Sequence, residues 1–249
     1  MKLSMFLARQ APRAIAVVLL LAVAIVLVSI PSQGSAAPYP GPRQVTILPP
    51  GELYYGKTYN ELAGDWWAWA LQFPSEVNPL LDETGEFGDL GQEGRVWFLA
   101  GNFGGESVRE LSIPPDKAVL VPMFNSLWWS PEDGTLEEVR ALANAQVNSG
   151  SDVWCTINGK LVEDVYAYRA QSQPGGFPFA IVEGGLLNEW GYEPRDAEPA
   201  VADGYWLLLE PLPIGRHTIV FHSRMADYFG PGEDWELKVT YYLTVVLPK

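Results

Sequence analysis

Trp128 and Trp129 stand side by side in SLWWS, three residues after Asn125. An indole face can take the apolar side of a pyranose while a nearby amide or acid takes its hydroxyls, so this group reads as a carbohydrate platform on a loop after the strand KAVLVPMFN. The plainer alternative is that both rings cap the end of a β-sandwich. TYNELAGDWWAWALQF (58–73) holds a second concentration, three tryptophans in four residues. Trp66 and Trp69 fall on the apolar stripe of a helix. Trp67 lies about 100° from Trp66 and is either covered by a second layer or offered to a ligand.

Carboxylates are the other chemistry-bearing group. Two facing acids would serve a polysaccharide hydrolase or lyase, and Asp65 and Glu106 are candidates, although the spacing selects no pair. LDETGEFGDLGQE (81–93) places Asp82, Thr84, Glu86 and Glu93 at positions 1, 3, 5 and 12 of a calcium-loop spacing. Phe87 stands at the sixth position, where that loop needs glycine, so a solvated loop is the competing reading and calcium the one cofactor the sequence suggests. His217 and His222 are five apart in the strand RHTIVFHS, an odd separation that sends them to opposite faces and prevents a shared metal unless a bulge intervenes. No GxSxG, HExxH, phosphate-cradling glycine loop or paired CxxC is present.

The elements that would position these residues are mostly strands. Two helices are marked by capping boxes, Thr58 with Glu61 and Thr135 with Glu138. The first is closed by Pro74, and the second ends at Asn148-Ser149-Gly150. VWCTINGKLVED (153–164) reads as a hairpin around Asn158-Gly159, with Cys155 on its core face rather than as a nucleophile. WELKVTYYLTVVL (235–247) alternates throughout, with Trp235, Leu237, Val239, Tyr241, Leu243, Val245 and Leu247 inward. Further strands are expected at 95–100, 107–113, 117–124, 165–171, 178–183, 204–210 and 216–223. Their spacing predicts a mainly β fold, an antiparallel two-sheet sandwich of the jelly-roll kind with two short helices.

Residues 1–37 read as a secretory signal peptide: a basic start at Lys2, Arg9 and Arg13, an uncharged apolar run from Ala14 to Ile30, then Gly34-Ser35-Ala36-Ala37. An uncleaved membrane anchor is the alternative for that run. Residues 38–57 read as an extended Pro/Gly-rich lead-in and 58–249 as a single β-rich domain. Without Lys2, Arg9 and Arg13, 13 of the 16 Lys and Arg remain against all 30 acids, a net charge of −17. Such a surface argues against nucleic acid as a partner. With Cys155 the one cysteine, no internal disulfide is available to an exported chain, and stability rests on packing.

The order NPLLDETGEFGDLGQEGRVWFLAGNFGG, SIPPDKAVLVPMFNS, ADGYWLLLEPLPIGRHTIVFHS and VTYYLTV resembles a group of uncharacterised exported bacterial proteins of about this length. The likeness covers residues 58–249, with GQEGRVWFLAG and DGYWLLLEPLPIGRHTI its most distinctive stretches. It implies export and a shared β-rich domain, and carries no activity or catalytic residue. Members of the group often have cysteines near the positions that match Gly88 and Leu111. If those pair, the resemblance implies that 88 and 111 lie close in space.

Together these observations favour a secreted, non-catalytic β-sandwich binding an extracellular polymer such as a carbohydrate through Trp128, Trp129 and Asn125, with Trp67 in support. A hydrolase or lyase would need an aromatic groove with two facing acids. An envelope structural protein would need a long, bare sheet edge.

Overall fold

Both capping boxes form in the computed structural model, which describes residues 45–247. The expected signal peptide and residues 38–44 of the lead-in lie outside the described residues. Thr58 Oγ1 accepts the Glu61 amide at 3.2 Å while the Glu61 carboxylate accepts the Thr58 amide at 2.8 Å, starting helix α1, Tyr59–Leu71. The same reciprocal pair at Thr135 and Glu138 starts α2, Leu136–Ser149. A single-turn helix, α3, Leu186–Glu189, adds to the two that the sequence predicts.

The strands build two sheets. The first runs β1 (Ile47–Leu48), β9 (Arg195–Leu209), β4 (Ala118–Trp129) and β2 (Val96–Phe98), with β7 (Arg169–Gln171) and β8 (Phe177–Ile181) also paired to β9. The second runs β3 (Gly105–Ile113), β11 (Glu233–Val245), β10 (Gly215–Gly230), β5 (Gly150–Ile157) and β6 (Lys160–Leu161). The expectation of antiparallel pairing throughout needs correction. β2 runs parallel to β4, and β3 parallel to β11. The chain places β3 in the opposite sheet between β2 and β4, so β2 and β4 run side by side in one direction rather than through a hairpin. Both sheets are therefore mixed, and no clear jelly-roll order results.

Several boundaries also differ. Ile47–Leu48 of the expected lead-in adds a strand to β9, and 165–171 opens with a 3₁₀ turn before β7. β9 starts at Arg195, well before the expected 204, and Leu247 falls past the end of β11 and is exposed. The hairpin turns where expected, with φ of 52° at Asn158 and 78° at Gly159.

The first sheet is the middle layer. On one face Val96, Ala118, Leu120, Leu127, Trp206 and Leu208 pack against α1. On the other, Val119, Val121, Met123 and Leu207 meet Cys155, Ile219, Phe221, Val239 and Tyr241 of the second sheet. Trp128 and Val201 lie on that side too, under α2 at Val139 and Ala143. A strand covered on both faces shows a near-continuous apolar run instead of alternation, and β4 and β9 read that way. Residues 88 and 111 are neighbours: a Cβ on Gly88 would stand 3.3 Å from a Leu111 methyl. No helix of the described residues is long and apolar enough to cross a membrane.

Candidate ligand-binding site

β4 carries a bulge between Pro122 and Phe124. Consecutive Met123 and Phe124 both enter the inter-sheet core, and side-chain parity is reversed beyond them. Asn125 and Leu127 are thereby turned toward α1. β2 pairs with β4 only at Ala118–Leu120, so past that point β4 has no strand neighbour on this edge among the described residues. A cavity of about 90 Å³ opens there. Its walls come from both faces of β4, which requires it to wrap round that free edge. Trp66, Trp67, Phe103, Trp190 and Trp235 line it, with Asn125 and Ser126 the polar residues of the strand.

The wall at 99–103 is held by hydrogen bonds to its backbone. Trp66 Nε1 donates to Leu99 O at 2.7 Å, and Trp235 Nε1 to Phe103 O at 2.9 Å. Between them Arg109 donates to Ala100 O at 2.7 Å and Gly101 O at 3.0 Å. Aromatic rings whose polar atoms are already tied down leave a firm apolar lining. Two groups remain unclaimed. Trp67 Nε1 is buried without a hydrogen-bond partner, and the Asn125 side chain forms no hydrogen bond among the described residues. A buried, unmatched N–H costs about 1–3 kcal/mol.

The structure thus unites two of the four expected binding residues, Trp67 and Asn125, and separates the other two. Trp128 is not a loop platform. It is 9% exposed, lies under α2, and donates from Nε1 to Gln146 at 2.9 Å. Trp129 is fully buried on the opposite face, against Phe179 and Tyr192 with ring centres 5.6 and 5.0 Å away. Both belong to the last residues of β4, and a strand sandwiched on both sides sends neighbouring rings into two different cores. Phe103 and Trp190 lie in segments with no periodic pattern and give no sequence signal. Trp235 is inward, as its place in the alternating strand predicts.

The candidate acids do not meet either. Asp65 forms an ion pair with Lys57 in a second, wider cleft of about 550 Å³ between α1 and residues 91–96. Glu106 stands on the outer face of the second sheet, 3.3 Å from Lys238. The calcium spacing also fails to assemble. Asp82 Oδ1 accepts the Thr84 and Gly85 amides at 2.8 and 2.9 Å, and Oδ2 accepts the Phe87 amide at 2.9 Å. Burial alone would raise this carboxyl's pKa, but the bonds from its own loop outweigh it and hold it below the usual aspartate value. Glu86 and Glu93 are exposed. Among the described residues, no three His, Cys, Asp or Glu are grouped to hold a metal.

The histidines lie on opposite faces. His217 sits inward with Nε2 2.8 Å from Pro213 O. His222 stacks on Trp154 at 5.1 Å on the outer face, with Nε2 2.7 Å from Glu236. Cys155 is fully buried and its thiol is pushed far up by burial, which suits packing and not nucleophilic attack. Comparison with protein families, curated proteins and solved structures finds no match to this chain.

Proposed function

We propose that the protein is a secreted, non-catalytic binding module that takes part of one unit of an extracellular carbohydrate polymer into the cavity at the β4 edge. One observation carries this reading. Trp67 and Asn125, far apart in sequence, meet in one aromatic-walled space, and the Asn125 amide has no hydrogen-bond partner among the described residues. Apolar walls with a few fixed polar groups are the composition of a small-ligand pocket. A volume of about 90 Å³ suits a ring edge or a small substituent, with the rest of the polymer outside. The N-terminal layout of basic, apolar and small residues supports export.

The test uses residues 38–249 with a panel of soluble and insoluble polysaccharides, reading retention and new sugar ends from the same tube. Retention without release is expected, reduced at least tenfold by Asn125→Leu, which keeps the side-chain volume and removes the amide. Retention that survives Asn125→Leu would overturn the assignment. A second reading, a polysaccharide hydrolase or lyase, is favoured by the cleft between α1 and residues 91–96, where Asp65 and Glu93 line one space beside Tyr54 and Tyr55. Release of sugar ends, abolished by Asp65→Asn or Glu93→Gln, would establish it. An edge-pairing structural role gains little support. The Thr84 carbonyl caps the β3 edge by accepting the Glu110 amide at 2.8 Å, and aromatic side chains wall the free stretch of β4.

A further inference from the structure

The stretch GQEGRVWFLAG builds one wall of the wider cleft. Gly91 has φ of +61°, and a Cβ there would come within 2.7 Å of the Phe73 ring, so any larger residue would strain the turn and displace that ring. Gln92 anchors the adjoining backbone: its amide donates to Gly88 O at 2.9 Å and Phe98 O at 2.8 Å and accepts the Phe98 amide at 2.9 Å. Trp69 Nε1 donates to Leu90 O at 2.9 Å. A wall fixed this way presents Glu93 and Arg95 to the cleft, opposite Lys57 and Asp65 of the α1 side.

Across the cleft mouth, Tyr54 pairs with Lys57 around a tight turn whose centre, Tyr55-Gly56, has φ of 55° and 84°. That turn places the Tyr55 ring under the Arg95 guanidinium at 5.6 Å. The charges are unequally matched. Lys57 is taken by Asp65, whereas Arg95 has no carboxylate partner and no side-chain hydrogen bond among the described residues. An exposed guanidinium, oriented by an aromatic ring and with its fork of donors free, is the arrangement that takes a carboxylate in two parallel bonds.

We infer that this cleft is a second carbohydrate subsite, selective for a sugar unit that carries a carboxylate. Arg95 binds the carboxylate, Tyr54 and Tyr55 offer aromatic surface to the ring, and Asp65 and Glu93 accept its hydroxyls. The cleft's volume of about 550 Å³ accommodates a whole sugar unit. The inference rests on the polymer-binding reading for its ligand class and names a different site.

Titration calorimetry of residues 38–249 with a galacturonate trisaccharide and with the neutral galactose trisaccharide tests it. Binding of the uronate at least tenfold tighter than the neutral sugar is expected. Arg95→Gln should remove that preference and Arg95→Lys restore part of it. Equal binding of the two trisaccharides, a preference that survives Arg95→Gln, or displacement by equimolar inorganic sulfate would each overturn the inference. No uronate binding by a protein that still retains a panel polymer through Asn125 would sink this subsite alone. Binding of nothing at either place would sink the polymer reading as well.

Discussion

Arg109 is 1% exposed on β3 and meets no carboxylate among the described residues. Its Nε donates to Asp82 O at 2.6 Å, Nη1 to Ala100 O at 2.7 Å and to the Tyr241 hydroxyl at 2.8 Å, and Nη2 to Gly101 O at 3.0 Å. Its guanidinium also lies 5.5 Å from the Tyr241 ring centre. Arg109→Met keeps much of the stem and removes every donor. Ala100 O still has the Tyr241 hydroxyl at 2.9 Å, so two carbonyls, those of Asp82 and Gly101, lose their donors. At about 1–3 kcal/mol each the loss is roughly 4 kcal/mol, and release from burying an unneutralised charge returns part of it. A net destabilisation of about 2–4 kcal/mol lowers the melting temperature of a domain this size by roughly 5–15 °C. Hydrogen exchange should show the matching local effect, with amides at 99–103 losing protection beyond the global change. A melting temperature within about 2 °C of wild type would refute this account of the wall.

The same geometry sets three further outcomes. Gly88→Cys with Leu111→Cys should form a disulfide on oxidation. Closing a loop of roughly two dozen residues should stabilise the oxidised form by about 3 kcal/mol over the reduced one in denaturant titrations. Asp82→Asn should cost stability at pH 6 because the amide cannot accept all the bonds that the carboxylate does. The folded-state pKa of Asp82 lies below the unfolded value of about 3.9. The wild-type advantage is therefore full above about pH 5 and fades as pH falls through the folded pKa, so the gap between the two proteins should narrow at pH 3. Trp128→Phe loses the bond to Gln146 and should cost about 1–2 kcal/mol in denaturant titrations.

Local patterns are legible where one side of an element is wet. The two capping boxes, the Asn158-Gly159 turn and the alternation from Trp235 to Val245 need only neighbours in sequence, and each forms as its pattern predicts. The middle sheet is harder, since burial on both faces erases alternation. SLWWS therefore reads as a loop when it is the end of β4. The bulge at Pro122–Phe124 is equally silent, yet it decides that Asn125 faces α1. Arg109 alternates with exposed Glu106, Val108 and Glu110 on β3 and looks like any strand charge. Its acceptors come from residues 82, 100 and 101 and from β11, a set that only the folded chain brings together.

The three tryptophans of α1 show how one short helix can serve both proposed sites. All three are buried, at 9% exposure or less, so none is a flat platform. Trp66 and Trp67 line the cavity at the β4 edge, the first locked to Leu99 and the second with its N–H unspent. Trp69, two residues on and therefore about 200° round the helix from Trp67, lines the wider cleft together with Asp65 and is locked to Leu90. The helix is thus a partition, with a different wall on each side. Gly64 lets the Phe177 side chain within 3.0 Å of where a Cβ would stand, which seats the partition tightly on the middle sheet. A polymer that alternates carboxylated and neutral units could lie across both sides of that partition at once, and the two subsites would then add avidity without touching each other.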